Sequence, residues 1–311
     1  MEARKTSLPS QVSSLPETMN AIVFPGQGSQ KVGMGRTLFE SSESCRALFA
    51  QADQILGYDL SALCLDGPEE RLTNTLHAQP ALLTVGVAAW RNARENGLMA
   101  QMAAGHSLGE YAALVAANVL SFEAAMTLVK RRAELMANAP QGTMAAIIGL
   151  ADEELDRVLE SAQSAGTVVA ANFNSPGQVV VSGEEAGVEA AMSEAKSRGA
   201  KMAVRLPVSG AFHSPLMKRA GEEMAQLIAD APFQNADFAV YPNTTARATT
   251  NANELRAALS TQMTNPVRWT EAIRNMIEDG ATSFHELGSG KVLAGLIKRI
   301  DKGAATQSSE A

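Results

Sequence analysis

Ala104-Gly105-His106-Ser107-Leu108-Gly109-Glu110 carries the pattern G-x-S-x-G centred on Ser107. Its neighbours decide how it reads. Leu98 to Ala103 is a short, largely apolar run of strand length, and Glu110 to Leu120 is rich in Ala, Leu and Val, which suits a helix. Strand, tight turn and helix are the setting in which this pattern forms a nucleophile elbow. Side chains at the flanks of so sharp a turn would clash, hence the glycines. The serine is held clear of the sheet at a helix N-terminus. There the N–H of Leu108 points toward an oxyanion formed on an acyl group carried by Ser107. Taken alone the pattern also fits an ordinary glycine-rich turn; the flanking strand and helix favour the elbow.

Upstream, Ala21-Ile22-Val23-Phe24 predicts a strand running into Pro25-Gly26-Gln27-Gly28-Ser29-Gln30. Two glycines so close to a strand let backbone approach a ligand. A phosphate cradle is one reading, but neither G-x-G-x-x-G nor a Walker lysine is present. The other is a loop that supplies a second oxyanion donor, the N–H of Gln27. Residues 36–56 and 78–96 read as helices, with Gly57 and Gly97 as stop signals. Ser121 caps a further helix to about Ala139, whose apolar stripe is Phe122, Ala125, Val129, Ala133 and Met136. Arg132 falls within that stripe. A charge on a buried face is costly unless paired. Either an internal carboxylate pairs with it, or it is an anion site whose guanidinium fits a ligand carboxylate. The spacing leaves both open.

Residues 140–208 change character. Strand 143–149, helix 152–164, strands 167–174 and 178–182, helix 184–198 and strand 201–208 give βαββαβ, a ferredoxin-like order. The expected organisation is a tail at 1–18, a large α/β catalytic domain at 19–139 and 209–302, the small ferredoxin-like subdomain at 140–208, and a polar tail at 303–311. The fold class is α/β: an α/β-hydrolase-like core with a parallel sheet, plus that insert.

An activated serine needs a base, most often histidine. The chain has four. His77 precedes the serine in a polar loop. His106 adjoins Ser107, and neighbouring side chains on a tight turn diverge. His285 sits on a strand, as a buried hydrogen-bonded histidine would. His213, in Ala211-Phe212-His213-Ser214-Pro215, follows both the insert and the serine, as hydrolase topology requires. No Asp or Glu between Ser107 and His213 occupies an obvious acid position. A main-chain carbonyl that accepts Nδ1–H would fix the tautomer and leave a Ser–His dyad.

The 311 residues are 46% hydrophobic and 19% charged, with a formal net charge of -7. They suffice for one large or two modest domains. A chain this long buries about three quarters of its unfolded surface. The charge argues against nucleic acid as a partner. No apolar run is long enough to span a bilayer, and no signal-peptide core follows the N-terminal charges. Cys45 and Cys64 form neither metal-ligand spacing nor a disulfide framework and read as buried hydrophobes in a reducing cytoplasm.

Together these residues resemble the malonyl-CoA:acyl carrier protein transacylases, over roughly residues 20–300. The resemblance rests on Phe24-Pro25-Gly26-Gln27-Gly28-Ser29-Gln30, Gly105-His106-Ser107-Leu108-Gly109-Glu110, Arg132 with Met136, Asn174-Ser175-Pro176-Gly177-Gln178, Ala211-Phe212-His213-Ser214, and Gln262 with Asn265-Pro266-Val267. It implies that Ser107 is acylated, that His213 is its base, and that Gln27 and Leu108 give the oxyanion N–H groups. It implies that the main-chain carbonyl of Gln262 orients His213, that Arg132 binds the free carboxylate of a malonyl group, and that Met136 and Phe212 line the acyl site. Phe212 matches malonyl-selective members. The implied partners are malonyl-CoA and a phosphopantetheinylated acyl carrier protein, with no metal, no permanently bound cofactor and no membrane, in a cytoplasmic monomer. Fatty acid synthesis is the expected pathway; a polyketide-synthase acyltransferase is the alternative. From another class, a patatin-like Ser–Asp hydrolase would use Asp279. An acidic carrier implies a basic face, for which Lys130, Arg131, Lys201, Lys218, Arg219, Lys298 and Arg299 are candidates.

Overall fold

A computed structural model describes residues 18–208 and 210–310; the expected tail at 1–18 lies almost wholly outside the described residues. The strands are β1 (Asn20–Phe24), β2 (Met102–Gly105), β3 (Thr143–Ile148), β4 (Val168–Ser175), β5 (Gln178–Gly183), β6 (Met202–Arg205), β7 (Ala239–Tyr241), β8 (Ser283–Gly288) and β9 (Ala305–Glu310). Five of them form a parallel sheet in the order β7-β2-β1-β8-β9. Helices cover both faces, so its central strands are apolar on both sides. On β1, Ile22 and Phe24 pack into one core with the helices Glu43–Leu56, Thr75–Glu95 and Phe122–Ala137. Ala21 and Val23, on the opposite face, join Trp269, Ile273 and Met276 of the helix Trp269–Glu278.

The other four strands form an antiparallel sheet, β4-β5-β3-β6. This is the split βαβ order of the ferredoxin-like fold. Its helices Leu155–Ala162 and Glu185–Ser197 share one core with Ile147, Val179 and Val181. The other face, with Met144 and Val180, turns toward the large domain's core. Two main-chain ties hold the insert. Gln141 bridges Gly210 where the chain enters and leaves it. On its edge, the Phe173 N–H donates to the Val267 carbonyl at 2.9 Å and the Val267 N–H to that of Ala171 at 2.8 Å.

Several expectations are corrected. The strand before the serine is Met102–Gly105 rather than Leu98–Ala103. Pairing with β1 sets its register, Ala21 against Met102 and Phe24 against Gly105, and leaves Met99 68% exposed. The helix after the serine stops at Ala116, short of Leu120. The single helix expected at 36–56 breaks at Ser42, whose side chain caps the second piece through the Cys45 N–H. The helix expected from residue 78 starts at Thr75, because Asn74 caps it, so His77 is helical rather than in a loop. Residues 305–310 are not a tail: they extend the sheet beside β8. Ala-Thr-Gln-Ser-Ser-Glu has no apolar alternation, so main-chain pairing alone defines this edge strand.

Candidate active site

Ser107 sits between β2 and the helix Gly109–Ala116 with φ 50°, the left-handed region that a non-glycine residue enters only under constraint. The glycines beside it are required by space. A Cβ on Gly105 would lie 1.9 Å from the Gly109 carbonyl carbon, and one on Gly109 would lie 2.1 Å from the Phe24 carbonyl oxygen. The elbow is thus pressed against the end of β1, which brings the Pro25–Gln30 loop beside the serine.

His213 is also held at positive φ, 57°. Its Nε2 lies 2.7 Å from Ser107 Oγ, and its Nδ1 lies 3.0 Å from the Gln262 carbonyl and 3.1 Å from that of Asn265. Two carbonyl acceptors at Nδ1 place the proton there and leave Nε2 as the acceptor for the serine hydroxyl. Among the described residues no carboxylate bonds to Nδ1. Burial, and then the charge of Arg132, push the imidazole down to about 3, so it is a neutral base at physiological pH.

Arg132 is 1% exposed. Its Nη2 donates to Ser107 Oγ at 3.0 Å and to Gln262 Oε1 at 3.2 Å, and its Nη1 to Gln79 Oε1 at 2.5 Å. Its Nε has no partner among the described residues. These three partners are neutral oxygens, and the guanidinium stacks 5.8 Å from the Tyr111 ring. No carboxylate among the described residues bonds to this buried cation, which is aimed at the Ser107 hydroxyl. A cleft of about 540 Å³ opens in front of it, lined among others by Gln27, Ser107, Leu108, Met136, Phe212 and His213.

The elbow's N–H groups are mostly spoken for. That of Ser107 donates to Asn243 Oδ1 at 2.7 Å, that of Gly109 to the His106 carbonyl and that of Glu110 to the Ser107 carbonyl. Among the described residues the N–H of Leu108, at the helix start, has no acceptor. Gln27 lies across the cleft, its side chain accepting from Thr75 Oγ1 at 3.2 Å.

The other histidines are engaged elsewhere. His106 turns to Asn174 Oδ1 at 2.8 Å, His77 stacks edge-on against Tyr58, and His285 sits by Ser283 and Asn20. Asp279, the acid of the hydrolase alternative, accepts from the Tyr241 hydroxyl at 2.7 Å. Of the surface cations, Lys130 is bound to the carbonyls of Ile55 and Leu56, and Arg131 to Glu134 and Glu223.

Three residues here escaped sequence reasoning: Gln79, Asn243 and Glu110. Asn243 lies just past the carboxyl end of β7, where open parallel sheets build their sites, and that position is the signal that would have found it. Gln79 is a fully buried amide on an otherwise apolar helix face. Glu110 stood within the decisive heptapeptide as an acid in a helix first turn, where it passes for ordinary dipole chemistry.

The family described as acyl transferase domain matches residues 21–307. The malonyl CoA-acyl carrier protein transacylase of Escherichia coli K12 is 46% identical over 287 residues, 91% of this chain and 93% of that protein. The protein of that name from Bacillus subtilis is 44% identical over 286 residues, 91% and 90% of the two chains. The crystal structure of an acyl carrier protein S-malonyltransferase from Vibrio cholerae superposes with a TM-score of 0.91 at 44% identity, covering 94% of this chain and 97% of that one. A malonyl-transacylase solved in complex with its type II PKS acyl-carrier protein gives 0.91 at 42%, covering 94% and 96%.

Proposed function

This chain belongs to the acyl transferase domain family, and we propose that it moves a malonyl group from malonyl-CoA to the phosphopantetheine thiol of an acyl carrier protein. The observation that carries the reading is one hydroxyl, that of Ser107, bonded at once to a neutral imidazole and a buried guanidinium. A hydrolase of neutral acyl groups has no use for that cation.

In the first half-reaction the carboxylate of the malonyl group displaces the hydroxyl from Arg132 and takes the paired donors of the guanidinium. Ser107 Oγ attacks the thioester carbon while His213 Nε2 takes its proton. The oxyanion faces the N–H groups of Leu108 and Gln27. Loss of one such donor typically costs about 10²–10³ in rate. The C–S bond breaks, His213 returns the proton to the departing thiolate, and a malonyl-serine ester remains. In the second half the carrier's thiol gives its proton to the same imidazole and attacks the ester, and Ser107 leaves as the hydroxyl. This is ping-pong chemistry. Met136 and Phe212 wall the acyl site.

Every proton in both halves is handled by these residues, so no resident cofactor is needed. No helix among the described residues is long and apolar enough to cross a membrane. Cys45 and Cys64 are free thiols. Both fit a cytoplasmic enzyme of fatty acid synthesis. A polyketide pathway uses the same chemistry, and the relative bound to a type II PKS carrier favours keeping it as the second reading.

Intact-mass spectrometry after incubation with malonyl-CoA tests the reading. One malonyl group on Ser107, discharged by holo carrier protein, is the expected result; an unmodified serine overturns it.

A further inference from the structure

Behind the reacting hydroxyl lies a carboxylate that this chemistry does not use. Glu110, in the first turn of the helix Gly109–Ala116, is 1% exposed. Its Oε2 accepts from the Asn243 N–H at 3.1 Å and from Gln262 Nε2 at 2.8 Å. Both residues are also bonded to Ser107. Asn243 Oδ1 accepts from its N–H at 2.7 Å, and Gln262 Nε2 donates to its carbonyl at 2.9 Å. Gln262 reaches further: its Oε1 accepts from Arg132 and its main-chain carbonyl from His213. The donor order is forced. A guanidinium only donates, so Oε1 of Gln262 must face it and Nε2 must face an acceptor, which Glu110 supplies.

We infer that Glu110 is a positioning residue for acyl transfer: by fixing Gln262 and Asn243, its carboxylate sets the Ser107 elbow, the His213 imidazole and the Arg132 guanidinium in mutual register. The inference rests on the roles proposed for those three residues. The charged or titratable groups that couple to Glu110 are Arg132 on the helix Phe122–Ala137 and Tyr111 on its own helix; His213, on the loop after the insert, is reached through Gln262. Burial pushes the carboxyl up to about 7, against the lowering effects of its two hydrogen bonds and of Arg132. Protonation on Oε1 would leave Oε2 as the acceptor of both bonds but remove the charge that strengthens them, so the ionised carboxylate holds Gln262 and Asn243 the more firmly.

The test follows the rate of Ser107 acylation by malonyl-CoA, by rapid quench and intact mass, in wild type and Glu110→Gln from about pH 5.5 to about 8.5. Wild type is expected to slow as pH falls through about 7. His213, pushed down to about 3, does not supply that limb. The variant should be slower by about 10- to 100-fold and show no such limb. The loss should fall on the rate at saturation rather than on half-saturation. A folded variant within about threefold of wild type at every pH overturns the inference, that being the scatter of an indifferent substitution. So does a slow variant that keeps the limb. Should the variant not fold, Glu110→Asp takes its place, keeping the charge but drawing it back from Gln262 and Asn243: a rate at saturation more than about threefold below wild type supports the inference and a smaller change overturns it. A wild-type chain that takes up no malonyl sinks the functional reading and this inference with it.

Discussion

Arg132 Nη2 and His213 Nε2 share one atom, the Oγ of Ser107, at 3.0 and 2.7 Å. The guanidinium donates to the oxygen and the imidazole accepts its proton, so in the resting site the hydroxyl is polarised from both sides. In the mechanism proposed above, a ligand carboxylate would free the oxygen by drawing Arg132 away. Acyl recognition and nucleophile release would then be one event.

Replacing Arg132 by Ala should therefore hurt malonyl transfer far more than acetyl transfer. Removing one partner of a buried charge pair costs about 2–5 kcal/mol, roughly 30-fold to 5 × 10³-fold in kcat/KM for malonyl-CoA. Arg132→Lys should recover little, since an ammonium lacks the two-pronged fit. Acyl transfer measured with both thioesters checks this; equal losses count against the clamp.

His213→Ala should slow acylation of Ser107 by about 10²–10⁴-fold while leaving the fold intact. Quenched-flow acylation and thermal unfolding read the two effects separately.

The buried pair His213 and Glu110 makes stability depend on pH in opposite senses. His213 falls from 6.5 to about 3 on folding, so the unfolded chain binds the extra proton between those values. Its contribution is full above 6.5 and is lost as pH falls toward 3. Glu110 rises from 4.5 to about 7, so the folded chain binds the extra proton there, and its contribution is lost as pH rises from 4.5 to 7. The two offset each other between 4.5 and 6.5. His213→Ala should unmask the Glu110 slope: against wild type it should lose stability as pH rises through that window. The slope is at most about 1.4 kcal/mol per pH unit. Denaturant titrations at several pH values measure it.

Gly105→Ala and Gly109→Ala meet backbone, at 1.9 and 2.1 Å, rather than a side chain that can swing away. Each should destabilise by about 3 kcal/mol or more and abolish acylation even where the chain still folds. Gly97→Ala, whose Cβ meets nothing within 4 Å, isolates the effect: its φ of +89° strains the turn without touching the elbow. Melting curves with mass spectrometry distinguish the three.

Ending the chain at Gly303 removes the edge strand Ala305–Glu310 and leaves β8 uncovered. Activity should stay near wild type, with a loss in melting temperature of about 2–4 °C per kcal/mol. Calorimetry beside the acylation assay tests it.

Much of this was legible because short-range rules sufficed. The elbow shows in Gly105, Ser107 and Gly109, the β1 loop in Gly26 and Gly28, and the insert in its alternating strands. What stayed hidden depends on long-range pairing. The register of β2 is set by β1, some eighty positions away in the chain. β9 exists through main-chain bonds that polar side chains do not advertise. Asn243 and Gln79 matter only because folding carries their amides to a serine and an arginine encoded far off.

The ribbon from Gln262 to Val267 has two tenants. At one end, carbonyls grip the imidazole; at the other, main-chain bonds anchor the margin of the small sheet that roofs the cleft. Widening the cleft by lifting that roof would therefore pull on the same short ribbon that holds the imidazole.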